Sequence, residues 1–312
     1  MQDLLKKFVP ATDEVHTLHR DQGPAGKHFR LVSEKGHYGK NPLDWTRQGI
    51  YALAPSGEFL ASINSTNAGD VERMLKEALE AWEALPKNKR LLAGKPEEAQ
   101  DRWARLYPED GMALRVYTRD LPREKKMKDW REGAWNLDYA WFRKEEMWKF
   151  APGGTAKGVR HEVPEEIVRR LVRCHFVDNV RGQTEAFPEE AVEEARLTVT
   201  VESVKGDRIT VKYEGTVKIE QRGNWAVDDT GAREQTRGYR GKLLGRGKWS
   251  VQGKKFETLE IVSVGTRWGG TRYNFRNGDL EEAPLGYVLT LAGPGPEDRM
   301  TPAAIWQYGW GE

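Results

Sequence analysis

Apolar and polar positions recur along this chain with periods that indicate its elements. Ile50-Tyr51-Ala52-Leu53 and Phe59-Leu60-Ala61-Ser62-Ile63 are two short runs of strand formers around Ala54-Pro55-Ser56-Gly57. Proline in the second turn position and glycine in the fourth suit a type I turn, which predicts a β-hairpin. Val71, Met74, Leu75, Ala78, Leu79, Trp82 and Leu85 then follow at steps of three and four. That spacing predicts an amphipathic helix, with Asp70 as its cap and Pro86 as its stop. Glu72–Lys76 and Lys76–Glu80 are spaced for ion pairs on its outer face. So broad an apolar stripe has to lie on another element, and the hairpin is the nearest one.

Beyond Pro86 the chain turns polar and basic, with a helix start at Pro96-Glu97-Glu98. Met112, Leu114 and Val116 alternate as in a strand, as do Trp135, Leu137, Tyr139 and Trp141. The charged stretch from Arg119 to Arg131 between them suits a solvated loop or surface helix. Ala151-Pro152-Gly153-Gly154-Thr155 is a breaker cluster. A second helix begins near Pro164-Glu165-Glu166 and carries the stripe Ile167, Val168, Leu171, Val172 and Cys174/His175. From Leu197 the period becomes two, through Leu197–Val201, Ile209–Tyr213, Val217–Ile219, Tyr239–Val251, Phe256–Gly265 and Tyr287–Ala292. Sequential strands joined by short turns predict an antiparallel meander or a partly open barrel. Trp306 and Trp310 are expected to pin the C-terminal segment. The division expected is 1–86, a mixed connector 87–155 with aromatic strands, and an antiparallel β domain with one helix over 156–312.

Composition narrows the function classes. The 312 residues carry 50 Lys+Arg against 48 Asp+Glu, so the chain as a whole is neither a basic nucleic-acid coat nor an acidic tail protein. No run of about 18 apolar residues would span a membrane. Met1–Phe8 lacks an apolar core and a small-residue cleavage site, so the sequence as written is expected in the cytoplasm, or outside it if a signal peptide precedes. Cys174 is the single cysteine, which excludes an internal disulfide and a CxxC pair. Twelve tryptophans are spread over the chain, more as core and interface closers than as a stacking platform for sugars or bases.

Gln48–Ala61 followed by the helix 71–85 resembles the closing half of a thioredoxin-like domain, in which a terminal hairpin is covered by the last helix. Leu4–Pro10 is similar to the end of the preceding helix and the strand after it. The region from Leu197 on is similar to the β-rich C-terminal part of bacterial thioredoxin-like proteins of unknown function. The resemblance implies an α+β protein: a thioredoxin-like α/β domain lacking CxxC, then the antiparallel β domain. Family chemistry needs a low-pKa cysteine at a helix N-terminus. No cysteine precedes Cys174, and Gln48-Gly49 stands where a proline is expected before the hairpin, so no catalytic residue carries over.

Candidate chemistry is sparse. Adjacent helical residues diverge by about 100°, so Cys174 is expected to be an inert buried thiol and not a partner of His175. His16 and His19, three apart with Asp13, Glu14 and Asp21 nearby, are the right ligand types for zinc if the segment is helical, and surface or capping histidines otherwise. The richest polar run is Arg267-Trp268-Gly269-Gly270-Thr271-Arg272-Tyr273-Asn274-Phe275-Arg276. Residues 233–276 hold 11 Lys/Arg against three Glu. Arg267, Trp268, Arg272, Tyr273 and Arg276 are therefore the expected ligand-binding set, taking an anionic ligand or a protein partner by pairing and stacking. The competing arrangement turns Trp268 and Tyr273 inward and the arginines out to water. No cofactor motif is present. The expectation is a non-catalytic binding or assembly protein. Its alternatives are a thiol-disulfide relative whose cysteines lie upstream, or a histidine-based metal enzyme.

Overall fold

The computed structural model describes residues 2–13, 15–40, 46–94, 104–124, 131 and 133–310. The chain forms two compact units that divide near residue 101.

In the N-terminal unit, helices α1 (Gln2–Leu5), α2 (Val15–Arg20) and α3 (Pro24–Lys35) precede the antiparallel hairpin of β1 (Ile50–Leu53) and β2 (Phe59–Ile63). The Gly57 amide donates to the Ala54 carbonyl at 2.8 Å, closing the expected turn. Helix α4 (Ala68–Ala84) covers the hairpin, and Met74, Leu75 and Ala78 are buried with Ala52 and Ala61. Its cap is Asn67 instead of Asp70: the Asn67 side-chain oxygen Oδ1 accepts from the Gly69 and Asp70 amides. Asp70 pairs with Arg73 at 2.6 Å within the first turn, where a carboxylate favours the positive end of the helix. Glu72–Lys76 forms at 2.8 Å. A short helix α5 (Lys87–Arg90) follows Pro86. The described residues here hold a two-stranded sheet. The helix start expected at Pro96 lies outside the described residues.

In the C-terminal unit, the described residues form one eight-stranded antiparallel sheet that is not closed. In chain order its elements are β3 (Met112–Asp120), β4 (Trp135–Phe142), α6 (Lys144–Phe150), β5 (Arg160–Glu162), α7 (Glu165–His175), β6 (Val192–Lys205), β7 (Arg208–Trp225), β8 (Arg233–Ser250), β9 (Lys255–Trp268) and β10 (Ala283–Leu291). The spatial order is β4-β3-β10-β9-β8-β7-β6-β5. The meander expected from Leu197 is present, with longer strands. The expected connector differs: β3 pairs with β10 from Leu114↔Leu291 to Asp120↔Leu285 and carries β4, so both aromatic strands belong to the main sheet. Helix α7 packs against β4 near one edge and β6 near the other. A flat eight-stranded sheet would be roughly 34 Å wide, so reaching both requires it to curl around the helix. Leu114, Val116, Val199, Val211, Tyr213, Ile261, Leu285 and Leu289 line its inner face against Val168, Leu171 and Val172. Inner-face glycines permit the curl. A Cβ on Gly265 would lie 2.0 Å from the Arg240 carbonyl oxygen.

The C-terminal segment packs on the edge strand. Tyr308 and Trp310 are buried with Trp141, Tyr139 and Ile305, whereas Trp306 is 58% exposed. The Tyr308 hydroxyl accepts from the Trp141 amide at 3.3 Å, and Arg170 donates to the Trp141 carbonyl at 3.3 Å. No helix among the described residues is long and apolar enough to cross a membrane.

Candidate functional site

The expected ligand-binding residues divide by strand parity. On β9, Leu259, Ile261, Ser263 and Arg267 face inward. Arg267 therefore ends the inner row, 1% exposed, and the loop that follows brings Arg276 beside it at 0%. Gly269 makes that loop possible, with φ of 71° and the Thr236 carbonyl oxygen 1.9 Å from where a Cβ would stand. Arg276 forks onto two carboxylates: Nε and Nη2 reach Asp178 at 2.7 and 2.8 Å, and Nη2 and Nη1 reach Asp120 at 2.7 and 3.0 Å. Arg181 Nε adds to Asp120 at 2.9 Å, and Arg123 holds both oxygens of Asp279 at 2.7 and 2.8 Å. Arg267 donates to the Asp279 carbonyl and carboxylate. Burial works against the Arg276 charge, but Asp178 and Asp120 outweigh it and hold the proton more tightly than in free arginine. Burial also pushes Asp120 and Asp279 up, yet Arg276 and Arg181 on the first, and Arg123 and Arg267 on the second, bring both below the usual carboxylate range.

Next to this network is a cavity with about 10 Å³ of room for the centre of a water-sized particle. Asp178, Thr184, Arg237, Arg267, Trp268 and Tyr287 contribute to its wall. Arg237 spends its donors on neutral acceptors: Gln221 Oε1, Thr184 Oγ1 and the Glu185 and Ala186 carbonyls. Burial pushes its pKa down to about 10.

The rest of the expected set lies outside. Arg272 meets Asp229 at 2.9 Å on the surface, and Tyr273 is 62% exposed. Trp268 is half-buried over Gly238, with Arg240 above its ring. The structure thus brings Arg267 and Arg276 together in the interior and leaves Arg272 and Tyr273 in solvent, so that only Arg272 and the half-buried Trp268 follow the inward-packed aromatic arrangement with solvated arginines.

His19 lies in helix α2, where its Nε2 accepts from the Arg47 amide at 3.1 Å. The side chain of His16 lies outside the described residues, and among these no three His, Cys, Asp or Glu side chains gather as metal ligands. Cys174 is buried, and burial pushes its thiol up to about 11. Its neighbour His175 turns away, with Nδ1 2.8 Å from Asp138 and Nε2 hydrogen-bonded to the Tyr308 hydroxyl. We expect Cys174 to resist iodoacetamide at pH 8 in the native protein and to label fully in denaturant, read by intact mass. Rapid native labelling would contradict its burial.

The outer sheet face carries a feature that charge counting along the sequence did not separate. From Arg240 onward the exposed positions of β8 are Arg240, Lys242, Leu244, Arg246 and Lys248, every second residue. Leu244 lies opposite Val262, Val262 opposite Val288, Val288 opposite Tyr117, and Tyr117 opposite Leu137. This is one apolar row across five strands, roughly 19 Å long at the usual strand spacing. Leu244 and Val264 are 56% and 59% exposed. Among the described residues Lys242 and Lys248 have no ion-pair partner, while Arg240 pairs with Glu282 and Arg246 with Glu202 on the open surface. No family model, curated protein or solved structure matches this chain.

Proposed function

We propose that this is a non-catalytic binding or assembly protein whose partner is a protein with an acidic, partly apolar surface, held on the outer face of the β sheet. The observation that carries the reading is the β8 row, in which two cations stand on each side of an exposed leucine at the end of a five-strand apolar stripe. Contiguous exposed apolar surface of this kind is characteristic of interaction sites. The flanking cations supply steering and register for carboxylates. Glu202 and Glu282 do not cancel them, because exposed ion pairs contribute little and exchange readily for a partner's carboxylates. The anion-facing role expected of Arg267 and Arg276 passes on this reading to Arg240, Lys242, Arg246 and Lys248. The hairpin β1–β2 under α4 supports treating residues 1–86 as a thioredoxin-like scaffold without its thiol chemistry.

Fluorescein-labelled poly-L-glutamate is the probe. Its binding should be measurable by anisotropy, weaken with salt, and fall at least about tenfold in the Lys242→Glu/Lys248→Glu variant with Tm unchanged. Absence of binding by the parent protein, tighter binding of duplex DNA of equal charge, or indifference to the charge reversal would each overturn the reading.

A further inference from the structure

The cavity beside the arginine–aspartate network lacks an acceptor that its walls call for. Arg267 Nε and the Tyr287 hydroxyl are both buried and without a hydrogen-bond partner, and both residues line this cavity. Each can donate a hydrogen bond, and a buried donor left unmet is destabilising. The charges of the wall point the same way. Arg237 and Arg267 are the guanidiniums lining it, and Asp178 is the carboxylate. That carboxylate is already gripped through both oxygens by Arg276. Arg237 donates only to neutral oxygens, and the carboxylates of Glu185 and Asp178, which act on it from further off, do not outweigh its burial.

We propose that this cavity is a binding site for a single small inorganic anion of the halide class, chloride under ordinary conditions, held by the Arg267 Nε–H and the Tyr287 hydroxyl in the positive field of Arg237. The room is about that of one water-sized particle, which favours a monatomic anion over the bulkier sulfate, phosphate and carboxylates. Water would fill the same space and accept the same two hydrogen bonds. It would add no charge, whereas an anion offsets the excess of cations in and beside the wall, where Arg123, Arg181, Arg237, Arg267 and Arg276 face Asp120, Asp178 and Asp279 and burial is expensive. The site is structural: it ties β8, β9 and β10 to the segment around Thr184. It shares no residue with the β8 row proposed for partner binding.

The test is thermal unfolding of the full chain in sodium chloride, sodium bromide and sodium gluconate at matched ionic strength, together with a crystal grown in bromide. Chloride and bromide should raise Tm over gluconate by about 5–10 °C once they exceed their dissociation constant about a hundredfold. Bromide should give an anomalous peak within hydrogen-bonding reach of Arg267 Nε and the Tyr287 hydroxyl. Tyr287→Phe keeps the ring and removes one donor, so it should fold and lose most of the halide-dependent shift. Equal Tm in the three salts, or a cavity holding water with no bromide signal, would overturn the proposal. So would an undiminished halide shift in Tyr287→Phe.

Discussion

Arg276→Gln should lower the stability of the C-terminal unit by about 3–5 kcal/mol, the range for removing one partner of a buried ion pair. The side chain is fully buried and bridges Asp120 and Asp178 while touching Asp279 at 3.2 Å. Its loss leaves carboxylates from β3, from the segment after α7 and from the loop before β10 facing each other without the cation that joins them. Arg276→Lys should be nearly as damaging, because an ammonium cannot reproduce the forked geometry. Arg272→Gln, removing an exposed pair four residues away, should change little. Urea denaturation followed by tryptophan fluorescence measures all three. A midpoint for Arg276→Gln within error of that for Arg272→Gln would refute the assignment. The network also sets the acid limit. Asp120 and Asp279 are held below their unfolded values, so the stability they contribute is complete above the unfolded carboxylate pKa, about 3.9, and is lost as pH falls through the lower folded values. Their contribution should therefore be flat from about pH 5 upward, start to fall near pH 4 and be gone only below the folded values, with a shallower acid loss in Arg276→Gln.

Tyr308→Ala should cost about 3–5 kcal/mol, as for other buried aromatic truncations, and should free the C-terminal segment from β4. The ring packs edge-on to Trp310 with centroids 5.1 Å apart, and the Arg170 guanidinium lies 4.6 Å from its centre. Its hydroxyl serves both His175 and the Trp141 amide, so truncation also leaves two buried groups unmet. Tyr308→Phe should cost only about 1–3 kcal/mol, since packing survives and hydrogen bonds alone are lost. Thermal melting distinguishes the two variants. Size-exclusion chromatography of Tyr308→Ala should show self-association through the uncovered strand. A melt coincident with that of the parent protein would show that the segment is not pinned by this residue.

The sequence carried the local elements well and the long-range ones poorly, for physical reasons visible in single residues. The hairpin, α4 and α7 follow from spacings within twenty residues, and Ile167, Val168, Leu171 and Val172 are buried where the helical stripe puts them. The cap of α4 moved to Asn67 because an asparagine oxygen serves the first amides as well as a carboxylate does. The alternation of Met112, Leu114 and Val116 was readable, yet its partner β10 lies some 170 residues on, and nothing local specifies that register. A net charge over 233–276 mixes two faces of the sheet. Period two separates them: Arg237 and Arg267 share parity with the buried Tyr239, Leu243 and Ile261, while Arg240, Lys242, Arg246 and Lys248 share it with the exposed Leu244. Asp120, continuing the inward row of Val116 and Thr118, was the available hint that an ionic core existed. Asp178 and Asp279 sit in loops, where no periodic signal places a side chain.

The strap over β4 and the three-residue β5 restrict how such a molecule can join with copies of itself. At Trp141 the free backbone of β4 is already occupied by Tyr308 and Arg170. At the opposite margin the Val201 amide and Leu197 carbonyl are taken by Val159 and Val163, on either side of the β5 pairing. Strand addition is thereby obstructed at these positions of both margins, which turns an incoming strand away from the middle of β4 and from the part of β6 beside β5.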